Sequence, residues 1–135
     1  MECPSFQTPS QALVALELGD VERSRHLNHA ALAMRLKMGN RWGIAFSLEG
    51  SAQALVATGH LIPALHALAG ADRIRKELGA PLALLDGERI ERALSQLRAL
   101  LGDEACDGVW KEGHSMDPET LVSETLHWLS STPQA

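Results

Sequence analysis

The stretch from Trp42 to Gly79, WGIAFSLEGSAQALVATGHLIPALHALAGADRIRKELG, decides the fold. In its first half Ile44, Leu48, Ala52 and Leu55 recur at helical spacing, which lays an apolar stripe along a helix from about Trp42 to Thr58. Gly43, Gly50, Ser51 and Ala54 keep another face small, so a neighbouring helix can come close. Gly59-His60 reads as a turn. A second helix runs from about Leu61 to Leu78, with Pro63 in its first turn, where a missing N–H costs nothing. Ala64, Leu68, Ala71, Ile74 and Leu78 line one of its faces, and Gly79 stops it. The stretch is one complete helical hairpin.

Outward from it the same signals repeat. Residues 1–9, with two prolines and no period, read as an irregular lead-in. Ser10 caps a short helix from Gln11 to Leu18 that ends at Gly19, and Asp20 caps a helix from about Val21 to Met38 that ends at Gly39-Asn40. Beyond Gly79-Ala80-Pro81, a fifth helix covers about Asp86 to Leu101, with Ile90, Leu94, Leu97 and Leu101 as its stripe and Arg89, Glu91, Arg92 and Arg98 outward. Gly102 stops it. Asp103 then caps a short helix, Glu104 to Glu112, ended by Gly113. Asp117-Pro118 opens a seventh helix to about Ser130. Residues 131–135 fray. No strand signal occurs.

A shift of forty residues lays 12–40 onto 52–80 without gaps. Ala12 falls on Ala52, Gly19 on Gly59, His26 on His66, Ala31 on Ala71, Arg35 on Arg75 and Gly39 on Gly79. Glycines recur at helix ends, where positive φ is cheap, and alanines where helices must cross closely. A self-match of this kind marks a stacked array of helical hairpins. The expected fold is therefore all-α: an α-solenoid of antiparallel hairpins, about seven helices, in a single domain over residues 10–130. Its repeats are 12–40 and 52–80, and its closing helices span 86–130.

Leu48, Ala52, Leu55, Gly59, Ala64, Leu68 and Ala71 resemble the tetratricopeptide pattern, in which a small residue packs the first helix, Gly opens the turn and Ala packs the second. Ala12, Gly19, Ser24 and Ala31 follow it in the first copy, where Asn28 stands in the place of Leu68. The period of forty exceeds the usual ~34 and no Pro closes the second helix, which makes this a long-helix variant. Further on, ADRIRKELGAPL (71–82), ERALSQLRALLGDEACDGVWKEGHSM (91–116) and PET (118–120) are similar to the C-terminal tail of bacterial LuxR-type signal-transduction ATPases. That resemblance, over about residues 12–129, implies a non-enzymatic tail that binds a protein or peptide partner, such as a regulator's ATPase or DNA-binding subunit. The ATPase motif G-x-x-x-x-G-K-[ST] does not occur, so the chain reads as the tail alone, encoded separately or cut from a larger ancestor.

Composition narrows the function further. Apolar residues make up 45% and aromatics 4%, so the core must be Leu and Ala. The net charge of −5 argues against direct binding of nucleic acid, which needs a basic surface. From Asp103 onward seven acids face Lys111 alone, an acidic, solvated outer face. Cys3 and Cys106 form no disulfide framework and no metal spacing, which fits a reduced cytoplasm. No secretory leader and no membrane-spanning run is read, and no cofactor is implied.

His26 and His29 sit three apart on one helix, with His66 and His60 as neighbours, yet no acid or thiol completes a metal set at useful spacing. Cys106 near His114 lacks an orienting group and reads as a small apolar residue. Arg35, Lys37, Arg41, Arg73, Arg75 and Lys76 form a basic stripe; with Asp72 and Glu77 mixed in, it reads as a solvated face rather than an anion groove. Trp42 and Trp110 are expected to pack and Trp128 to be exposed. The expected partner surface is Arg41, Trp42, Phe46, Glu49 and Gln53, in a groove lined by the first helix of each repeat. The first helix has no preceding repeat to cover it, so Leu13, Val14 and Leu16 (with Leu18) form an uncapped end suited to self-association as a homodimer. The alternative to a protein partner is a small-molecule inducer held in a cavity of several hundred Å³.

Overall fold

The computed structural model describes residues 11–131; the expected lead-in at 1–9, the Ser10 cap and most of the frayed tail lie outside the described residues. Among the described residues there are seven helices and no strand. They are α1 (Gln11–Glu17), α2 (Val21–Met38), α3 (Arg41–Ala57), α4 (Leu61–Leu78), α5 (Leu84–Leu101), α6 (Asp103–Ser115) and α7 (Pro118–Leu129). None is long and apolar enough to cross a membrane.

The forty-residue self-match has a backbone counterpart. Helices α2 and α4 are both 18 residues long and offset by that shift. Gly39 (φ 69°) and Gly79 (φ 65°) end them in the left-handed region, and the following amides of Asn40 and Ala80 reach back to the carbonyls of Arg35 and Arg75. Both ends are therefore closed by the same 6→1 bond, which takes up orphan carbonyls of the last turn. Asp20 caps α2 by accepting from the Arg23 amide, and Asp117 caps α7 by accepting from those of Glu119 and Thr120.

Three expected boundaries move. Helix α5 begins at Leu84, two residues before Asp86. Asp103 is the first helical residue of α6 rather than its cap, because Gly102 takes the cap position with φ 91°. Gly113 does not stop α6, which continues to Ser115. Its role is close packing: a Cβ there would sit 2.7 Å from His66 Cα and 2.8 Å from His66 O, so only hydrogen lets α6 lie against α4.

Helix α4 is the axis of the packing. It contacts α3, α5, α6 and α7, and Ala64, Leu65, Ala67, Leu68, Ala69, Gly70, Ala71 and Ile74 are all buried along it. Helix α2 packs against α1, α3 and α7. Between them lies α3, antiparallel to α4: Arg41 at its start bonds Glu77 near the end of α4. The core is aliphatic, as the composition requires, with Leu32, Leu48, Leu55, Leu65, Leu97, Leu121 and Val122 fully enclosed. Helix α7 returns to the first hairpin, where the Arg25 guanidinium donates to the carbonyls of Leu129 and Ser131 and so satisfies the end of α7.

Candidate functional site

Arg41, Trp42, Phe46, Glu49 and Gln53 belong to α3, and the last four, at spacings of four, three and four, share one face of it. Their surroundings divide them. Phe46 and Trp42 stack with ring centroids 5.6 Å apart and planes 5° from parallel. The Arg35 guanidinium from α2 lies 5.4 Å over Phe46, and that of Arg75 from α4 lies 5.9 Å from the Trp42 centroid. The four groups form a layered stack, cation–ring–ring–cation, that ties α2 and α4 to α3 through one pair of repeat-related arginines.

Glu49 is buried and bound by Arg75 at both carboxylate oxygens, Nε to Oε2 at 2.5 Å and the terminal nitrogen to Oε1 at 2.8 Å. Burial pushes the Glu49 carboxyl above the ordinary carboxylate range; the Arg75 hydrogen bond and charge pull it back. Arg75 also donates to the Ala80 carbonyl. Arg35 donates to Ser47 Oγ at 2.6 Å, and burial lowers its pKa. The basic stripe divides: Lys37, Arg41 and Lys76 are exposed, with Arg41, Arg73 and Lys76 bonded to the interleaved Glu77, Glu77 and Asp72, whereas Arg75 is buried and Arg35 half-buried.

Two hollows open between the helices, the first of them bordered by Arg75 of the stack. One, of about 620 Å³, lies where α3, α4, α5 and α6 meet, between Glu49, Leu68, Arg75, Ile90, Leu94 and Trp110. The other, of about 330 Å³, lies between α1, α3 and α5, lined by Leu13, Leu16, Gln53, Val56, Ala93 and Gln96, with Arg89 and Arg92 at its side. Arg92 lines both hollows, so they adjoin along α5. Arg89 is engaged by Asp86 and Glu17, whereas Arg92 makes no ion pair with the described residues. The structure thereby brings Gln53 together with Leu13 and Leu16, residues the sequence had assigned to separate surfaces. Leu13 and Leu16 are half-buried in that hollow, while Val14 (40%) and Leu18 (81%) are exposed. Arg89, Arg92, Ala93 and Gln96 were missed because the sequence marks α5 by its apolar stripe. Their spacing of three, four and seven along one helical face was the available signal.

The remaining candidates scatter. His26 is exposed, and its repeat mate His66 is half-buried between acids of α6 and α7. No group of three or more His, Cys, Asp or Glu at metal-binding distance occurs among the described residues. Cys106 is buried in the core, and His114 pairs not with it but with Asp72, at 3.2 Å. Trp128, expected to be exposed, is half-buried instead: its ring lies 5.0 Å from that of buried His60, because α7 folds back over the α3–α4 turn. None of the family models, curated proteins or solved structures compared with the chain matches it.

Proposed function

We propose that the chain is a non-enzymatic, cytoplasmic protein-interaction module, a tetratricopeptide-like stack of hairpins related to the helical tails of bacterial transcriptional and signalling regulators. Its partner is a peptide or helix of another protein, with a regulator's ATPase or DNA-binding subunit as the expected class. The observation that carries this reading is the hollow shared by α1, α3 and α5, the first helices of three successive hairpins. Leu13, Leu16 and Val56 give it an apolar floor, Gln53 and Gln96 supply adaptable hydrogen-bonding amides, and Arg92 offers an uncommitted charge. A short segment with apolar side chains and one carboxylate fits that chemistry. Selection from a displayed dodecapeptide library should enrich such sequences, and Val56→Glu or Leu16→Glu should weaken the winners at least about tenfold, a loss of ~1.4 kcal/mol. Equal binding by these variants refutes the groove.

A second reading is favoured by the larger hollow. About 620 Å³ between Leu68, Ile90, Leu94 and Trp110, with Glu49 and Arg75 at its polar end, is the size and make-up of a small-molecule site. An inducer held there would make the chain a sensor. A Cβ built on Gly87, in the lining, meets nothing closer than Leu82 at 3.9 Å, so Gly87→Leu should fill the space. Fragments that raise the wild-type melting temperature through this site should not raise that of Gly87→Leu. Identical shifts in both proteins remove the reading.

A further inference from the structure

Where α4 meets α6 and α7, outside both hollows, three titratable side chains come together. His66 projects from α4 into the junction of α6 and α7, with its side chain 12% exposed. Its Nδ1 lies 2.8 Å from Glu124 Oε1 of α7 and its Nε2 lies 3.1 Å from Glu112 Oε1 of α6. A carboxylate only accepts hydrogen bonds, and a neutral imidazole carries one N–H. Both contacts are attractive together only when both ring nitrogens are protonated. With a neutral ring, one nitrogen lone pair faces a carboxylate.

The backbone around the ring leaves little room for another arrangement. Gly113 brings α6 against the His66 main chain, and Gly70, one turn further along α4, receives Leu121 of α7. Glu112 and Glu124 are the charged groups that act on the ring; α3 and α5, the other helices packed on α4, place none there.

We propose that His66 is a proton-operated latch: charged, it ties α6 and α7 to α4 at once; neutral, it keeps one helix and releases the other. The released contact is Glu112, which is the longer and is 67% exposed, whereas Glu124 is 25% exposed. The end of α6 then loosens without detaching. Arg73 still donates to the carbonyls of His114 and Met116, and the single contact of His114 with Asp72 needs only one N–H. Because Trp110 on α6 walls the larger hollow, loosening α6 changes the shape of that space with pH. The hydrogen bond to Glu124 raises the His66 pKa most, burial opposes it, and Glu112 adds to the rise.

The test is a pH titration of the full chain by NMR, following the His66 ring nitrogens and the amide exchange of residues 110–115. At pH 6 both nitrogens should show the protonated pattern, and the midpoint should lie above the ordinary ~6.5. Glu124→Gln and Glu112→Gln should each lower it. Corrected for intrinsic chemistry, protection of the α6 amides should fall severalfold across the midpoint, and in His66→Gln that pH dependence should vanish. A single-tautomer pattern at pH 6, a midpoint at or below the ordinary value, or the same pH-dependent exchange in His66→Gln would each overturn the latch.

Discussion

Helices α2 and α4 share their length, their cap geometry and their place in the forty-residue match, yet their surroundings differ. Helix α4 buries ten of its residues and α2 buries four: Ser24, Arg25, Asn28 and Leu32. Three of those four are polar and each is bonded. Ser24 Oγ and the Gly50 carbonyl both lie 3.4 Å from the Asn28 amide nitrogen, and Arg25 holds the end of α7. Where α4 has Leu65 and Leu68, α2 has Arg25 and Asn28. The same local signals therefore build the same helix, and what enfolds it is set by residues outside the match. Helices α3 and α7 pack on both; beyond them, α4 receives α5 and α6, while α2 receives only the short α1.

Repeat-mate substitutions break this comparison most sharply. Arg75→Met strands Glu49 as a buried, unpaired carboxylate and should cost about 3–5 kcal/mol. Arg35→Met loses a hydrogen bond to Ser47 and a cation–ring contact and should cost ~1–2 kcal/mol. Urea unfolding of both proteins measures the gap, and equal losses would mean that the two copies are energetically alike. Next in size, Gly113→Ala sets a methyl against the His66 backbone, so α6 must shift at a cost of ~1–3 kcal/mol. The same change at exposed Gly108, where a Cβ meets nothing within 4 Å, should be neutral or stabilising.

Gly39→Ala and Gly79→Ala probe what the copies have in common. Each forces a Cβ into left-handed backbone and should cost roughly 1–2 kcal/mol, the same at both positions within error. A loss at one site alone would undo the register argument. The smallest effect is the pH dependence. His66 is raised in the fold, so its contribution is fully present below the unfolded value near 6.5 and is lost as pH rises through the folded midpoint. The urea midpoint should decline across that window in the wild type and stay flatter in His66→Gln.

The fold was largely legible because its punctuation is local. Glycines at 19, 39, 59, 79 and 102 all take positive φ, and each had been read as a helix end. Gly113 was misread because a glycine that ends a helix and one that lets two helices touch look alike until the partner is placed. The layered stack was half legible: Trp42 and Phe46 were singled out, but the arginines that cover them come from α2 and α4, eleven and thirty-three residues away along the chain. Glu49 reads as a surface acid by type, and only the fold shows that Arg75 allows it to be buried. His66 could not be told from His26 by the repeat, because Glu112 and Glu124 lie far beyond it in sequence.

That α4 owes its enclosure to α5 and α6, and α2 its relative exposure to their absence, is tested most directly by native-state hydrogen exchange. The amides of residues 65–75 should exchange only by global unfolding, while those of 26–36 should open at a lower free energy. Equal protection along both helices would contradict the account.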